Sequence, residues 1–141
     1  MEIALDSNCT LRSPDLHDGY VIGLELLDKA TLRVRLRDVR DQSFNMILTG
    51  LRRLKCSEFL EGNIIFDVTI VCGIQPNMSA VRSLMGELHP HVGSPHRENH
   101  ELVLERCARE VAEGRTTIVT IEPSYGCHLI ALCEAVQIEV A

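Results

Sequence analysis

Between Thr31 and Arg37 the chain alternates without a break, with Leu32, Val34 and Leu36 on one parity and Arg33, Arg35 and Arg37 on the other. A helix would scatter these residues around its circumference. In a strand successive side chains point to opposite faces, so the segment is a strand with one apolar face and one guanidinium face. The run before it has the same period, with Tyr20, Ile22, Leu24 and Leu26 at alternate positions, and Asp28 and Lys29 supply the turn between the two. Phe44, Met46 and Leu48 resume the alternation after a short polar loop. Three successive period-two runs predict an antiparallel meander.

The rest of the chain is less regular. The first eighteen residues are polar and aperiodic, and they end in a turn-rich lead from Pro14 to Gly19. Residues 51–56 extend the third run, and Ser57 as a cap with Gly62 as a terminator predicts one helical turn over 58–61. Over 63–72, Ile64, Phe66, Val68, Ile70 and Cys72 share one parity while Ile65 and Val71 add to the other, which predicts a central strand covered on both sides. Asn77 is placed to cap a helix carrying Met78, Val81, Leu84, Met85 and Leu88 at three- and four-residue spacing. Pro90, Gly93 and Pro95 predict a loop over 89–99. Asn99 then caps a second helix with the stripe Leu104, Cys107, Ala108 and Val111, ended by Gly114. Residues 116–122 are β-branched and strand-like, 123–126 form a turn, and 128–140 read as one long closing strand.

These elements predict one α+β domain over residues 1–141, with a mainly antiparallel sheet of six or seven strands. Two helices are inserted before a C-terminal hairpin. The helices are expected on one face of the sheet, because the other face of the early strands carries arginines. With 45% apolar and 24% charged residues the chain has enough apolar side chains to build a core.

Compartment and partners follow from charge and cysteine usage. Glu2 and Asp6 stand where a secretory signal carries basic residues, and no apolar run approaches the roughly 18 residues of a membrane helix, so the expectation is a soluble, cytoplasmic protein that does not engage a membrane. Cys9, Cys56, Cys72, Cys107, Cys127 and Cys133 form no C-x-x-C pair, and several occupy apolar positions of patterned segments, which reads as buried free thiols. Cys127 and His128 are neighbours, but in extended chain they point to opposite faces and cannot act as nucleophile and base. With a net charge of −6, no tryptophan and few aromatic residues for base stacking, the chain is not built for nucleic acid.

Two constellations remain. The first is the row of Arg33, Arg35 and Arg37, whose side chains recur about every 6.6 Å along one strand face. Eight of the fourteen basic residues but only two of the twenty acidic ones lie between Lys29 and Cys56. Paired to neighbouring glutamates, the row is an ordinary solvated face; unpaired, it is an anion-recognition face for an acidic protein partner, because guanidinium groups orient carboxylates as well as attract them. The second is the group His89, His91, His96 and His100 with Glu87 and Glu98, dense enough to hold a divalent ion in a metal-dependent enzyme. Its spacing does not match the cupin metal motif, and His17 with Asp18 and Gly19 is more simply a turn than a phosphohydrolase doublet. There is no phosphate loop, nucleophile elbow, H-E-x-x-H or dinucleotide fingerprint, so no cofactor and no common enzyme class has an anchor.

Leu16, His17, Asp18 and Gly19 before the first long strand, residues 61–65 opening the central one, and Ser124, Tyr125, Gly126 and Cys127 before the last carry a resemblance. In these segments the chain resembles small bacterial proteins of unknown function, some of them grouped with immunity proteins of toxin systems. The resemblance implies a β-rich domain without established catalysis that binds a protein partner, and it transfers no site residues. A homodimer through an unpaired strand edge is compatible with either reading.

Overall fold

The computed structural model describes residues 1–86 and 93–141. Structure begins earlier than the aperiodic N-terminus predicts. β1 (Ala4–Leu5) and β2 (Leu11–Ser13) pair as a small antiparallel hairpin. The Asp6 carboxylate makes the turn by accepting from the backbone N–H groups of Asn8 and Thr10, while Cys9 adopts a left-handed φ of 62°. Those hydrogen bonds, that from Thr10 first, hold the Asp6 carboxyl below its ordinary pKa.

The order of the meander is as predicted: β3 (Tyr20–Asp28), β4 (Thr31–Arg37) and β5 (Ser43–Thr49) are consecutive antiparallel neighbours. The expected parity of β3 is corrected: register shifts between Val21 and Gly23 and between Leu26 and Asp28 leave Val21 buried while Tyr20, Ile22 and Leu26 are exposed. Leu32, Val34, Leu36, Phe44, Met46 and Leu48 are all buried. β6 (Arg53–Ser57) follows, and no helical turn forms after it: Ser57 ends the strand, and Glu58 turns the chain with a φ of 57°. β7 (Ile64–Val71) departs from the expected parity. Register shifts between Ile64 and Asp67 insert a bulge, so Ile65 is buried at 0% exposure while Phe66 is 51% exposed, and only beyond the bulge do Val68 and Ile70 return inward. A bulge adds one residue to one strand and swaps the two faces, which strict alternation cannot reveal.

Helix α1 (Met78–Met85) starts where Asn77 predicts, its side chain accepting from the Ser79 N–H. Helix α2 (Ser94–Ala112) starts before Asn99, so the predicted loop is corrected from Ser94 onward. Pro95 is compatible with a first turn, where the missing N–H has no intrahelical partner. The stripe Leu104, Cys107, Ala108 and Val111 is buried as expected. β8 (Thr117–Tyr125) and β9 (His128–Cys133) then form the hairpin, and β10 (Ala135–Val140) leaves it.

The expected strand count of six or seven is exceeded: eight strands form one sheet in the order β10-β5-β4-β3-β7-β8-β9-β6, beside the two-stranded β1–β2. Two kinks account for much of the difference. β5 and β6 are one run bent at residues 50–52, and β9 and β10 are one run bent at Glu134. The two bent runs stay paired on both sides of the kink, Thr49 with Ala135 and Arg53 with Leu132. Because β5–β6 and β9–β10 each continue across the corner, the sheet closes on itself. Gly50 makes the crossing possible: its φ is 62°, and a Cβ there would lie 2.6 Å from the Glu134 side chain. The predicted closing strand 128–140 is thus one run serving two halves of the sheet.

The interior holds one cluster drawn from β3, β4, β5, β7, β8, β9 and β10. The helices do not cover the apolar face of an open sheet. The two halves cover each other, and α1 and α2 pack outside the second half, where Val81, Leu84, Leu104, Cys107 and Val111 meet Ile118, Ile130 and Leu132. Among the described residues no helix is long and apolar enough to cross a membrane.

Candidate functional site

The outer surface of the second half, β6–β9–β8–β7, is covered in part by the helices, and basic residues help to hold them. Lys55 and Arg53 of β6 donate to the carbonyls of Ser83 and Met85 in the last turn of α1, where helix carbonyls lack partners. Arg52 at the corner reaches Glu110 of α2 at 3.0 Å and Glu134 at 3.4 Å. Arg82 and Glu101 join the helices by two parallel hydrogen bonds, and this contact lowers the Glu101 carboxyl pKa. Three of the basic residues in the cationic segment are therefore occupied in docking α1 and α2.

The outer surface of the first half, β3–β4–β5–β10, carries no helix among the described residues. Its register places Arg33 between Glu25 and Ile47, Arg35 between Gly23 and Asn45, and Arg37 between Tyr20 and Ser43. Arg33 pairs with Glu25, leaving its Nε buried without a hydrogen-bond partner. Arg37 is 3.7 Å from Asp41, itself 87% exposed, so that pair contributes little. Arg35 is exposed and has no ion-pair partner among the described residues. Opposite it, Gly23 leaves open space, with no atom within 4 Å of where a Cβ would sit. The structure thus brings the three predicted arginines to one open face, with the middle one uncommitted.

β3 borders this face with a free edge. It meets β7 only where Tyr20 faces Ile64, with Asp18, Gly19 and Val21 adding hydrogen bonds to Ile65 and Asn63 at the same corner. From Ile22 to Asp28 the strand pairs with β4 alone. Ile22, Leu26 and Leu27 are exposed along it.

A cleft of about 590 Å³ opens on the helical side, between the N-terminal loop and α1. Thr69, Thr120, Ile130 and the pair Glu122–His128 line it, with Ser7, Asn8 and Cys9 on one wall and Ser79 and Ser83 on the other. His128 Nε2 is shielded from solvent 3.4 Å from Glu122 Oε1, without a well-aligned hydrogen bond. A histidine oriented by a carboxylate resembles half of a general-base system, but among the described residues no hydroxyl or thiol is hydrogen-bonded to it. Sequence reasoning missed the cleft because its walls come from four distant segments.

Only part of the histidine group lies among the described residues. His96 and His100 lie one turn apart in α2, His89 and His91 with Glu87 fall outside the described residues, and no metal-holding group of three or more ligating side chains occurs among the described residues. His17 belongs to no such group among the described residues either. Its Nδ1 is 2.6 Å from the Phe66 carbonyl, and that contact, with Asp18 and nearby Asp67 and Asp15, raises its pKa. Cys127 points into the core and His128 outward, as alternation requires.

The three segments 16–19, 61–65 and 124–127 meet in space at the β3–β7 corner. Asp18 N–H donates to the Ile65 carbonyl and Ile65 N–H to that of Gly19. Asn63 Oδ1 accepts from Leu60 and Cys127, and Tyr125 donates to Glu61. These residues close the barrel rather than form a reactive centre. Fold and surface together define an antiparallel barrel with helices docked on one side and an arginine-bearing face open on the other. No protein-family model, curated protein or solved structure matches the chain.

Proposed function

We propose that this protein is a binding module, of the kind found among immunity proteins, that holds an acidic segment of a protein partner on the face of Arg33, Arg35 and Arg37. The observation that supports the reading is the uncommitted Arg35 beside the unfilled Gly23, on the outer face that no described helix covers. Gly23 places no side chain between Arg35 and the free edge of β3. A strand added to that edge would lie two strand spacings from β4, about 9–10 Å, within the combined reach of an arginine and a glutamate side chain. Its backbone would meet the unpaired groups of Ile22 to Asp28, and its outward carboxylates would meet Arg35 and Arg37.

The test is binding of a fluorescent glutamate-rich peptide to the full chain, read by anisotropy. The expected result is affinity that falls with salt and drops by about tenfold or more in the Arg33→Ala, Arg35→Ala, Arg37→Ala variant, while Arg106→Ala with Arg109→Ala on α2 changes it little. Equal loss in both variants would reduce the effect to net charge. A single-stranded oligonucleotide is expected to bind more weakly than the peptide, and sedimentation at several concentrations separates partner binding from self-association through β3.

A further inference from the structure

We propose that Cys56 and Cys127 are an oxidisable pair that closes to an intramolecular disulfide by exchange with a small-molecule disulfide such as oxidised glutathione. Their sulfurs are 3.1 Å apart, 71 residues apart in sequence. A disulfide needs a separation of about 2.05 Å, so about 1 Å of closure completes the bond. All six cysteines are described and free, and this is the only sulfur–sulfur hydrogen-bond contact among them.

The backbone around the pair is fixed from both sides by one side chain. Asn63 accepts from the Cys127 N–H through Oδ1, accepts from the Leu60 N–H through the same atom, and donates from Nδ2 to the Leu60 carbonyl. It therefore ties the segment leaving Cys56 to Cys127 itself. Gly126, at a φ of 84°, completes the bracket: a Cβ there would lie 2.5 Å from Asn63 Oδ1. On the other side Cys56 is held by the β6–β9 ladder, where it faces Leu129.

The two thiols differ in access, which orders the steps. Cys56 is half-buried and Cys127 is 1% exposed. The Cys56 thiolate attacks one sulfur of the small disulfide, the old S–S bond breaks, and the first thiol leaves carrying the proton Cys56 gave up. Cys127 then loses its proton and attacks Cys56 Sγ, expelling the second small thiol. Two protein thiols are oxidised and one disulfide is reduced to two thiols. Burial, with the Cys56 contact second, pushes the Cys127 thiol up to about 12, so closure is slow at neutral pH and accelerates as pH rises. Both helices lie inside the loop that the bond would close.

The reduced full chain is incubated with oxidised glutathione, denatured and labelled with N-ethylmaleimide. The expected result is four labels on six cysteines by intact mass, a linked peptide containing Cys56 and Cys127, and six labels after dithiothreitol. The thermal midpoint is expected to rise on the order of 5–15 °C, because a long loop is constrained in the unfolded chain. Cys56→Ser should retain label at all five remaining thiols, whereas Cys127→Ser should hold a glutathione adduct on Cys56 with label at the other four, and neither should give a linked peptide. In the wild type, six labels after oxidant, a linkage among other cysteines such as Cys72 and Cys133, or a persistent glutathione adduct on Cys56 would each overturn the proposal, and this wild-type arm decides even if a variant fails to fold.

Discussion

The two outer faces of the barrel are built from strands of similar length and are handled in opposite ways. On β8 and β9 the outward residues Ile118, Ile130 and Leu132 are apolar, and α1 and α2 bury them. On β4 the outward residues are arginines, and no described helix lies over them. The inner faces barely differ, since both halves supply buried aliphatic side chains to the same cluster. What decides whether a helix can dock is therefore the outward parity of each strand. Once the helices have used Arg52, Arg53 and Lys55 as anchors, the remaining cations of the segment are concentrated on the open face.

The contrast can be broken most forcefully at the covered face. Leu104 is 0% exposed between α2 and the sheet, and Leu104→Ala should cost about 2–5 kcal/mol in chemical denaturation, while Arg35→Ala should stay within about 0.5 kcal/mol. Similar costs for the two would mean that the faces are not handled differently. The next effect lies at the corner joining the halves. Gly50→Ala combines a left-handed φ with a collision against Glu134 and should cost roughly 1–3 kcal/mol, of which Glu134→Ala recovers little, because the Glu134 Cβ itself would lie 2.7 Å from the new methyl.

The smallest effect is at the β3–β7 corner. The Phe66 carbonyl, then the carboxylates led by Asp18, raise the His17 pKa, so the fold favours the protonated ring. That contribution is fully present below the unfolded pKa of about 6.5 and is lost as pH rises through the higher folded value. Relative to His17→Gln, the wild type should therefore be more stable at about pH 5.5 than at about pH 8.5, as read from urea midpoints, and an equal difference at both would remove His17 from the corner.

Much of this contrast was legible in the sequence. Strict alternation located β3 to β5 and assigned the buried and outward residues of β4 correctly, because period two has one geometric meaning once one side is apolar. Asn77 announced α1 through its side-chain oxygen. Other features were not local. The bulge at 64–67 reversed the face assigned to Phe66, and Pro95, read as a breaker, sits in the first turn of a helix instead. Barrel closure depends on Gly50 meeting Glu134, and the cleft and the sulfur pair join residues far apart in the chain. The apolar outward residues of β8 and β9 are the available signal for where the helices dock, and residues 63–72, apolar on both parities, carry the same local pattern.

The proposed role of the open face is tested most directly by amide hydrogen exchange on the full chain, with and without the glutamate-rich peptide. The account predicts new protection at the outward N–H groups of β3 from Ile22 to Asp28, with α1, α2 and the cleft around Thr120 and His128 unchanged. Protection confined to the helices or the cleft, with the β3 edge exchanging as freely as before, would contradict it.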